Sequence, residues 1–219
     1  IGRDKFLREV SHLKGIYVPS LYKVSYKEDG TIEGFKPLHS DVPERVQKRF
    51  IENLNDNVYP DKLIVPYTEI VHDRIVVETF RGCTRGCRFC QAGMVYRPVR
   101  EKTTGKILEE VEEELKKTGY DEVSLSSLSI CDYSDIENLI KSIVEKHGSK
   151  NIGVSLPSLR VDSFSVNLIK EIQKVRKTGL TFAPEAGSQR MRDVINKGVT
   201  EQNLIDSTKS AFEAGWSTV

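Results

Sequence analysis

The chain has 219 residues and a net charge of +1 at pH 7, with 38% hydrophobic and 30% charged residues. This length suits one large domain or a domain with an appended module, and the composition argues against intrinsic disorder. A charge near zero gives no global reason to bind nucleic acid or anionic membranes, no apolar run approaches the roughly 18–20 residues of a membrane span, and no signal peptide opens the chain.

The two ends of the chain indicate a fragment of a longer protein. The first residue is Ile1 rather than Met, and it leads directly into a helical pattern. The last predicted helix is followed by Gly215, shortly before the final Val219, where a further strand would be expected. We therefore expect part of a protein that is cytoplasmic and has no membrane partner.

The sequence pattern of residues 1–61 predicts a small α+β module, which forms a connecting segment before the rest of the chain. Alternating apolar and polar residues on both sides of Gly30 are typical of a β-hairpin, and the flanking segments have the apolar spacing of helices. The predicted elements are a helix (Lys5–Leu13), two hairpin strands (Ile16–Ser25 and Thr31–Pro37) and a second helix (Pro43–Leu54).

Residues 62–219 alternate between β-rich and helical segments with short connections. The predicted strands are Leu63–Val71, Arg74–Phe80, Glu122–Ser127, Ile152–Leu156 and Leu180–Ala183, and the predicted helices are Thr104–Thr118, Ser134–His147, Ser163–Lys177, Ser188–Asn196 and Thr200–Ala214. Such an alternation predicts parallel strands covered by helices, as in an open doubly wound sheet or a (β/α) barrel. We expect an α/β fold with a partial, open (β/α) barrel of at least four parallel strands, in which ligands bind at the carboxyl ends of the strands.

Three of the four cysteines, Cys83, Cys87 and Cys90, have the spacing C-x3-C-x2-C directly after the strand predicted at Arg74–Phe80. Thiolates are soft ligands that favour zinc, copper(I) and iron–sulfur clusters. Structural zinc takes four protein ligands, whereas only three lie close together here. Three cysteines around an iron–sulfur cubane leave one iron open for chemistry. Cys131 is distant in sequence and is expected to be a free buried thiol.

With Phe89 directly before the third cysteine, this loop resembles the cluster-binding loop of the radical S-adenosylmethionine superfamily. The phrases at residues 80–100, 126–129, 155–162 and 181–190 further resemble a subgroup whose full-length members often carry a cobalamin-binding-like domain upstream. No such domain is visible in this chain. The resemblance covers residues 62–219 as the enzyme core, with the first module as the connecting segment.

The resemblance implies a [4Fe–4S] cluster whose metal ligands and catalytic centre are Cys83, Cys87 and Cys90. Its open iron would bind the amine and carboxylate of S-adenosylmethionine. Transfer of one electron would then cleave the sulfonium to methionine and a 5′-deoxyadenosyl radical, which acts on an unknown substrate. An electron donor such as a flavodoxin or ferredoxin is implied as a partner.

The resemblance also suggests residues that contact S-adenosylmethionine. Phe89 corresponds to an aromatic beside the adenine, and the alternative is that it packs within the loop. Many relatives have a Gly-Gly-Glu-type stretch that receives the methionine amine, and this chain has Ser126 and Ser127 in that place. Backbone carbonyls and serine hydroxyls still accept hydrogen bonds from an ammonium, but a direct carboxylate contact is lost.

Further candidates follow the third and fourth predicted strands of the alternation. Ser155, Ser158 and Arg160 follow or end the third, and an arginine suits the methionine carboxylate because it donates two parallel hydrogen bonds. Glu185 follows the fourth, where a carboxylate could accept from ribose hydroxyls. The alternatives are a surface salt bridge for Arg160 and a helix-terminal charge for Glu185.

Two other classes of protein fit parts of the pattern. One is a non-catalytic module that binds zinc or an iron–sulfur cluster through the same cysteines. The other is an RNA-binding module, or an enzyme with an RNA substrate, because arginines are frequent around the cysteine loop. These arginines are Arg81, Arg85, Arg88, Arg97 and Arg100.

Overall fold

The computed structural model of the chain describes residues 2–60, 62–157, 159–163, 166–176 and 179–219. It divides into two compact units, Ile1–Ile51 and Glu52–Val219. The sequence predicted a boundary after residue 61, and the observed division after Ile51 lies ten residues earlier. Residues 52–60 belong with the second unit because Asn55 Oδ1 accepts hydrogen bonds from the backbone N–H and the hydroxyl of Thr103, at 2.8 and 3.1 Å.

The first unit contains the predicted hairpin and one helix. Its elements are α1 (Arg3–Val10), β1 (Tyr22–Tyr26) and β2 (Ile32–Pro37). The two strands pair antiparallel, with Tyr22 opposite Pro37. The turn between them contains Gly30 at φ +80°, a conformation that glycine adopts without steric cost. A small core of Val18, Leu21, Tyr22 and Val42 stabilises the unit.

The prediction of a helix at Pro43–Leu54 is wrong. The described residues there form no α-helix, and only a short 3₁₀ turn appears at Leu54–Asp56. Phe50 and Ile51, which would belong to its apolar face, are exposed. An amphipathic helix draws most of its stability from burial of that face, so the periodic pattern alone does not form one here.

The second unit is built on a parallel sheet. The strands of this unit are β3 (Ile75–Glu78), β4 (Phe80–Arg81), β5 (Arg100–Glu101), β6 (Glu122–Ser126) and β7 (Gly153–Ser155). β3, β6 and β7 lie side by side in that order, all parallel, and β4 pairs antiparallel with β5 as a separate ribbon. One face of the parallel sheet carries apolar residues with almost no exposure, among them Ile75, Val77, Val123, Leu125 and Val154.

Helices cover this apolar face. The helices of the second unit are α2 (Ala92–Val95), α3 (Thr104–Thr118), α4 (Ile136–His147), α5 (Val166–Gln173), α6 (Gln189–Val194) and α7 (Glu201–Glu213). The core between sheet and helices includes Ile107 and Val111 of α3 and Leu139, Ile140 and Ile143 of α4. α3 has the predicted bounds, because Thr103 caps its first turn and Gly119 ends it at φ +73°.

Two of the predicted strands are absent from the described part of the chain. Leu63–Val71 has no strand because its apolar residues are not buried, and Ile64 and Val71 are 94% and 93% exposed. Leu180–Ala183 also forms no strand, and Leu180 instead packs with Ala211 and Trp216 in a separate cluster. The architecture is therefore mixed α/β with a three-stranded parallel sheet, rather than the four or more parallel strands expected. None of the described helices has the length and apolar character that crossing a membrane requires.

Candidate functional site

The cysteine loop lies where the sequence predicted it, at the carboxyl edge of the parallel sheet. It leaves the end of β3 through Thr79, whose backbone N–H donates to the carbonyl of Ser126 at the end of β6, at 3.0 Å. The pairing of Phe80 with Glu101 and of Arg81 with Arg100 closes the base of the loop. The two ends of the loop are thus held together by backbone pairing beside the sheet.

Two glycines shape the loop around the cysteines. Gly82 has φ +102°, and a Cβ atom there would lie 2.9 Å from the carbonyl oxygens of Tyr96 and Pro98. No other residue type fits this close approach of two backbone segments. Gly86 has φ +69°, and the N–H of Cys90 donates to the carbonyl of Cys87 at 3.0 Å. The loop therefore turns tightly on both sides of Cys83.

An ion-pair network joins the loop to the ends of β6 and β7. Arg85 forms a two-point ion pair with Asp132, with its Nε donating at 2.8 Å, and its Nη1 donates to Asp162 at 3.1 Å. Asp162 also accepts two hydrogen bonds from Arg160, at 2.9 and 3.1 Å. Two guanidinium groups and two carboxylates balance in charge. We refer to these four residues as the arginine–aspartate network.

The network changes the pKa values of two of its members. The hydrogen bond to Asp132 raises the pKa of Arg85 above its ordinary value. Partial burial raises the pKa of Asp132, but the hydrogen bonds from Arg85 and Ser129 outweigh burial and leave that pKa lowered. Both groups are therefore charged at neutral pH.

The segment after α6 holds the loop from another side. The backbone N–H of Arg88 donates to the carbonyl of Ile195, and Asn196 Nδ2 donates to the carbonyl of Gly86, both at 2.9 Å. Arg160 also donates to the carbonyl of Lys197 at 2.9 Å. This segment thus contacts both the loop and the arginine–aspartate network.

A cavity of about 280 Å³ lies beside the loop at the carboxyl ends of β3 and β6. Its polar lining includes Ser126 and Ser127, and also Glu78, whose carboxylate accepts two hydrogen bonds from Arg81 at 2.8 and 2.6 Å. The remaining lining residues are Phe80, Gly82, Tyr96 and Leu128. The cavity therefore offers one carboxylate, one guanidinium and the hydroxyl groups of two serines at the base of the cysteine loop.

The other predicted cofactor contacts lie outside this cavity. Phe89 is 56% exposed. Ser155 is buried, with its hydroxyl 3.3 Å from Arg74 on the side of the amino-terminal edge of the sheet. Arg160 pairs with Asp162 at 2.9 Å, with both side chains largely buried, and Glu185 pairs with Lys197 at 2.9 Å. Ser158 lies outside the described residues.

The sequence interpretation missed four residues of this region: Glu78, Tyr96, Asp132 and Asp162. Asp162 stands at the end of the phrase at 155–162, and Asp132 directly follows Cys131. An acidic residue soon after a strand was the available signal in both cases. Pairing with Arg85 could not be read from it, because these partners are 47 and 77 residues apart.

The donor chemistry of the loop fits an iron–sulfur cluster. Cys83, Cys87 and Cys90 are free, partly exposed thiols within eight residues, and soft thiolates are the ligands that such clusters take. Among the residues that the structure describes, no three His, Cys, Asp or Glu side chains are grouped to hold a metal ion. The fit therefore rests on the ligand type and the loop rather than on converged sulfur positions.

Cys131 differs from the loop cysteines in its surroundings. It follows β6 and packs against the main core, and burial raises the pKa of its thiol above the ordinary value. A thiol with a raised pKa forms little thiolate at neutral pH. Cys131 is thus a free thiol that is partly buried, whereas the sequence predicted a buried one.

Comparison with known proteins defines the class. The family model described as the Radical SAM superfamily matches residues 77–219. The chain therefore belongs to the radical S-adenosylmethionine superfamily of enzymes, as the cysteine loop predicted.

Individual relatives are archaeal. An uncharacterized protein of Methanocaldococcus jannaschii is 30% identical over 78% of this chain and 39% of its own length. An uncharacterized methyltransferase of Pyrococcus horikoshii is 26% identical over 92% of this chain and 42% of its own length. A protein of M. jannaschii provisionally named a methylthiotransferase is 24% identical over 64% of this chain and 33% of its own length. The chain spans about two fifths or less of the length of these relatives.

Proposed function

We propose that this chain carries the catalytic core of an enzyme that reductively cleaves S-adenosylmethionine to a 5′-deoxyadenosyl radical. The observation that supports it is the loop of three free thiols at the carboxyl edge of the sheet, inside the region that the superfamily matches. Cys83, Cys87 and Cys90 would hold a [4Fe–4S] cluster. When bound, that cluster supplies the electron for cleavage of the sulfonium. The substrate of the radical is not assigned.

The cavity beside the loop suits the polar end of such a cofactor. Ser126 and Ser127 offer hydroxyl and carbonyl oxygens, and Glu78 places a carboxylate beside them, since it pairs with Ser126 in the register of β3 and β6. This carboxylate comes from the neighbouring strand rather than from the strand end where many relatives carry one. The cavity can therefore orient an ammonium without a glutamate at residues 126–129.

The names of two relatives give a second candidate for the overall reaction. One is named a methyltransferase and another, provisionally, a methylthiotransferase. Transfer of a methyl or methylthio group would take the methyl from a second molecule of S-adenosylmethionine and release S-adenosylhomocysteine, and methylthio transfer would also consume a sulfur atom from a separate donor. Formation of S-adenosylhomocysteine together with 5′-deoxyadenosine would favour methyl transfer by this chain, and 5′-deoxyadenosine without it would favour radical chemistry alone.

The arginines around the loop do not favour an RNA-binding surface. Arg81 pairs with Glu78, Arg85 pairs with Asp132 and Asp162, and Arg88 donates to the carbonyl of Val194. Arg81 and Arg85 thus have carboxylate partners within the protein, which offset their charges and make them less available to a phosphate backbone. An electron donor such as a flavodoxin or ferredoxin remains part of the proposal, because the cluster needs an external electron.

Anaerobic reconstitution with iron and sulfide, followed by reduction with dithionite and an assay for 5′-deoxyadenosine, tests the proposal. We expect about four iron and four sulfide per chain and formation of 5′-deoxyadenosine from S-adenosylmethionine. Binding of one zinc without labile sulfide would instead identify a non-catalytic metal module.

A further inference from the structure

Arg85 stands between the first two loop cysteines and reaches the sheet through its side chain. Its Nε and Nη2 face the two oxygens of Asp132, and its Nη1 lies 3.1 Å from Asp162 Oδ2. The side chains are partly buried, at 32% exposure for Arg85, 20% for Asp132 and 13% for Asp162. An arginine with two carboxylate partners in this geometry has little rotational freedom left.

The two carboxylates come from the ends of two adjacent strands. Asp132 lies in the 3₁₀ turn at Ile130–Asp132 after β6, and Asp162 lies in the turn at Val161–Ser163 after β7. One side chain of the cysteine loop therefore bridges the carboxyl ends of both strands. Asp162 is itself fixed by two hydrogen bonds from Arg160.

Charge balance argues that this cluster of side chains is a clamp rather than a binding site for an anion. The arginine–aspartate network contains two positive and two negative groups. Each guanidinium already faces a carboxylate, so neither has an unpaired charge to offer a ligand. Arg85 is the member of the network that lies in the loop of the proposed cluster ligands, two residues from both Cys83 and Cys87.

Arg85 holds the loop on the side of β6 and β7, and other contacts hold it on the side of α6. Asn196 holds the carbonyl of Gly86 and Ile195 holds the N–H of Arg88, so both act through the backbone on the side of α6. Gly86 at φ +69° gives the backbone a tight turn but has no side chain to fix it. A side-chain anchor at Arg85 supplies the connection to β6 and β7.

We propose that Arg85 is a positioning residue that clamps the cysteine loop to the ends of β6 and β7 and thereby presets the backbone of Cys83 and Cys87 for cluster assembly. This inference rests on the proposed function for its consequence. The clamp itself is a property of the protein without its cluster, and it can be measured there.

Hydrogen exchange of residues 82–90 in the cluster-free protein measures the clamp directly. We expect Arg85→Gln to speed exchange of these amides roughly tenfold, because it removes a two-point charged hydrogen bond. Arg85→Lys keeps one charged contact and should recover part of the protection. The matched control is Arg176→Gln, because Arg176 also pairs with two carboxylates, Asp121 and Glu122, but at the amino-terminal end of β6.

Cluster assembly tests the consequence of the clamp. In anaerobic reconstitution we expect slower iron uptake by Arg85→Gln, recovery with Arg85→Lys, and a broadened electron paramagnetic resonance signal of the reduced cluster in the glutamine variant. Asp132→Asn should slow uptake in the same way, and adding it to Arg85→Gln should have little further effect because both changes remove one interaction.

Several results would overturn the proposal. Exchange and iron uptake equal to wild type in Arg85→Gln, or equal to those of Arg176→Gln, would show that Arg85 does not set the loop. If Arg85→Gln failed to fold, Arg85→Lys and Asp132→Asn carry the same comparison. If the wild-type protein took up no iron, the proposed function would fail, while the exchange comparison would still decide for or against the clamp.

Discussion

At the scale of single residues, the four cysteines fall into two chemical classes. Cys83, Cys87 and Cys90 lie on a partly exposed loop, whereas Cys131 follows β6 and packs against the core. The raised pKa of the Cys131 thiol lowers its thiolate fraction at neutral pH, and the thiolate is the form that reacts. We expect iodoacetamide at pH 7.5 to label the loop cysteines of the cluster-free protein well before Cys131, as followed by mass spectrometry of peptides.

The same division predicts the effect of alanine substitutions on cluster loading. Cys83→Ala, Cys87→Ala and Cys90→Ala should each abolish loading of about four iron, because each removes one of three ligands. Cys131→Ala is the matched control and should load normally. Full iron content in one of the loop variants would exclude that cysteine as a ligand.

Glu185 has two explanations that binding measurements separate. Its carboxylate pairs with Lys197, whose side chain is only 11% exposed, and its backbone adopts φ +68°. If it also accepts from the cofactor, Glu185→Ala should weaken binding of S-adenosylmethionine by about 1–3 kcal/mol in anaerobic calorimetry, with cluster content unchanged. Lys197→Met provides the comparison. Equal affinity in Glu185→Ala and the wild type would leave Glu185 as a partner of Lys197 alone.

Because of His147, we expect the free energy of unfolding to decrease as the pH falls. It is buried at the end of α4, its Nε2 has no hydrogen-bond partner, and burial together with the charges of Lys146 and Lys150 lowers its pKa below the ordinary 6.5. The unfolded state therefore binds the proton first as pH falls, and the free energy of unfolding decreases from about pH 6.5 down to the lowered pKa. Urea unfolding at pH 7.5 and 5.5 should show this decrease, and His147→Leu should reduce it. An identical pH dependence in both proteins would contradict the prediction.

At the scale of secondary-structure elements, a buried ion pair joins the residue that follows β5 to α3. Lys102 follows β5 and donates to Glu110 of α3 at 2.6 Å, and both side chains are almost fully buried. Lys102 Nζ also lies 5.2 Å from the ring centroid of Tyr59, whose pKa is raised to about 12 by burial and by the nearby Glu114 and Glu110 carboxylates. The pair fixes the segment that leaves the loop against the helix.

Removing one partner of this ion pair should lower the free energy of unfolding far more than replacing both partners with apolar residues. Lys102→Met or Glu110→Leu alone leaves one buried charge without its partner and should lower the free energy of unfolding by about 3–5 kcal/mol. The double variant Lys102→Met/Glu110→Leu removes both charges and should lie much closer to wild type. Urea unfolding of the three variants measures this. Additive losses in the double variant would show that the two side chains contribute independently.

At the scale of the whole molecule, the second unit carries its own core. The sheet of β3, β6 and β7 packs against α3 and α4 entirely within residues 52–219, and the first unit has a separate small core. A protein limited to residues 52–219 should therefore show a cooperative thermal transition by circular dichroism. It should also take up iron to the same extent as the longer chain. A fragment that fails to unfold cooperatively would show that the first unit is needed for the fold of the second.

The sequence by itself determined the features that depend on local pattern. The spacing of Cys83, Cys87 and Cys90 indicated the ligand type, and the superfamily match confirmed the class. α3 was predicted with its correct bounds because its cap, its apolar periodicity and its terminal glycine all lie within one short segment.

Only the tertiary structure decided which patterns are buried and which distant charges meet. Pro43–Leu54 has a helical pattern but forms no α-helix among the described residues, and its apolar residues are not buried as one face, since Phe50 and Ile51 are exposed while Leu54 is buried. Arg160 had two interpretations from the sequence, a cofactor contact or a salt bridge, and the structure shows its ion pair with Asp162, while Arg85 finds a partner 47 residues away at Asp132. Ion-pair partners depend on how strand ends are brought together, and that arrangement is set by burial of the sheet rather than by the residues next to each charge.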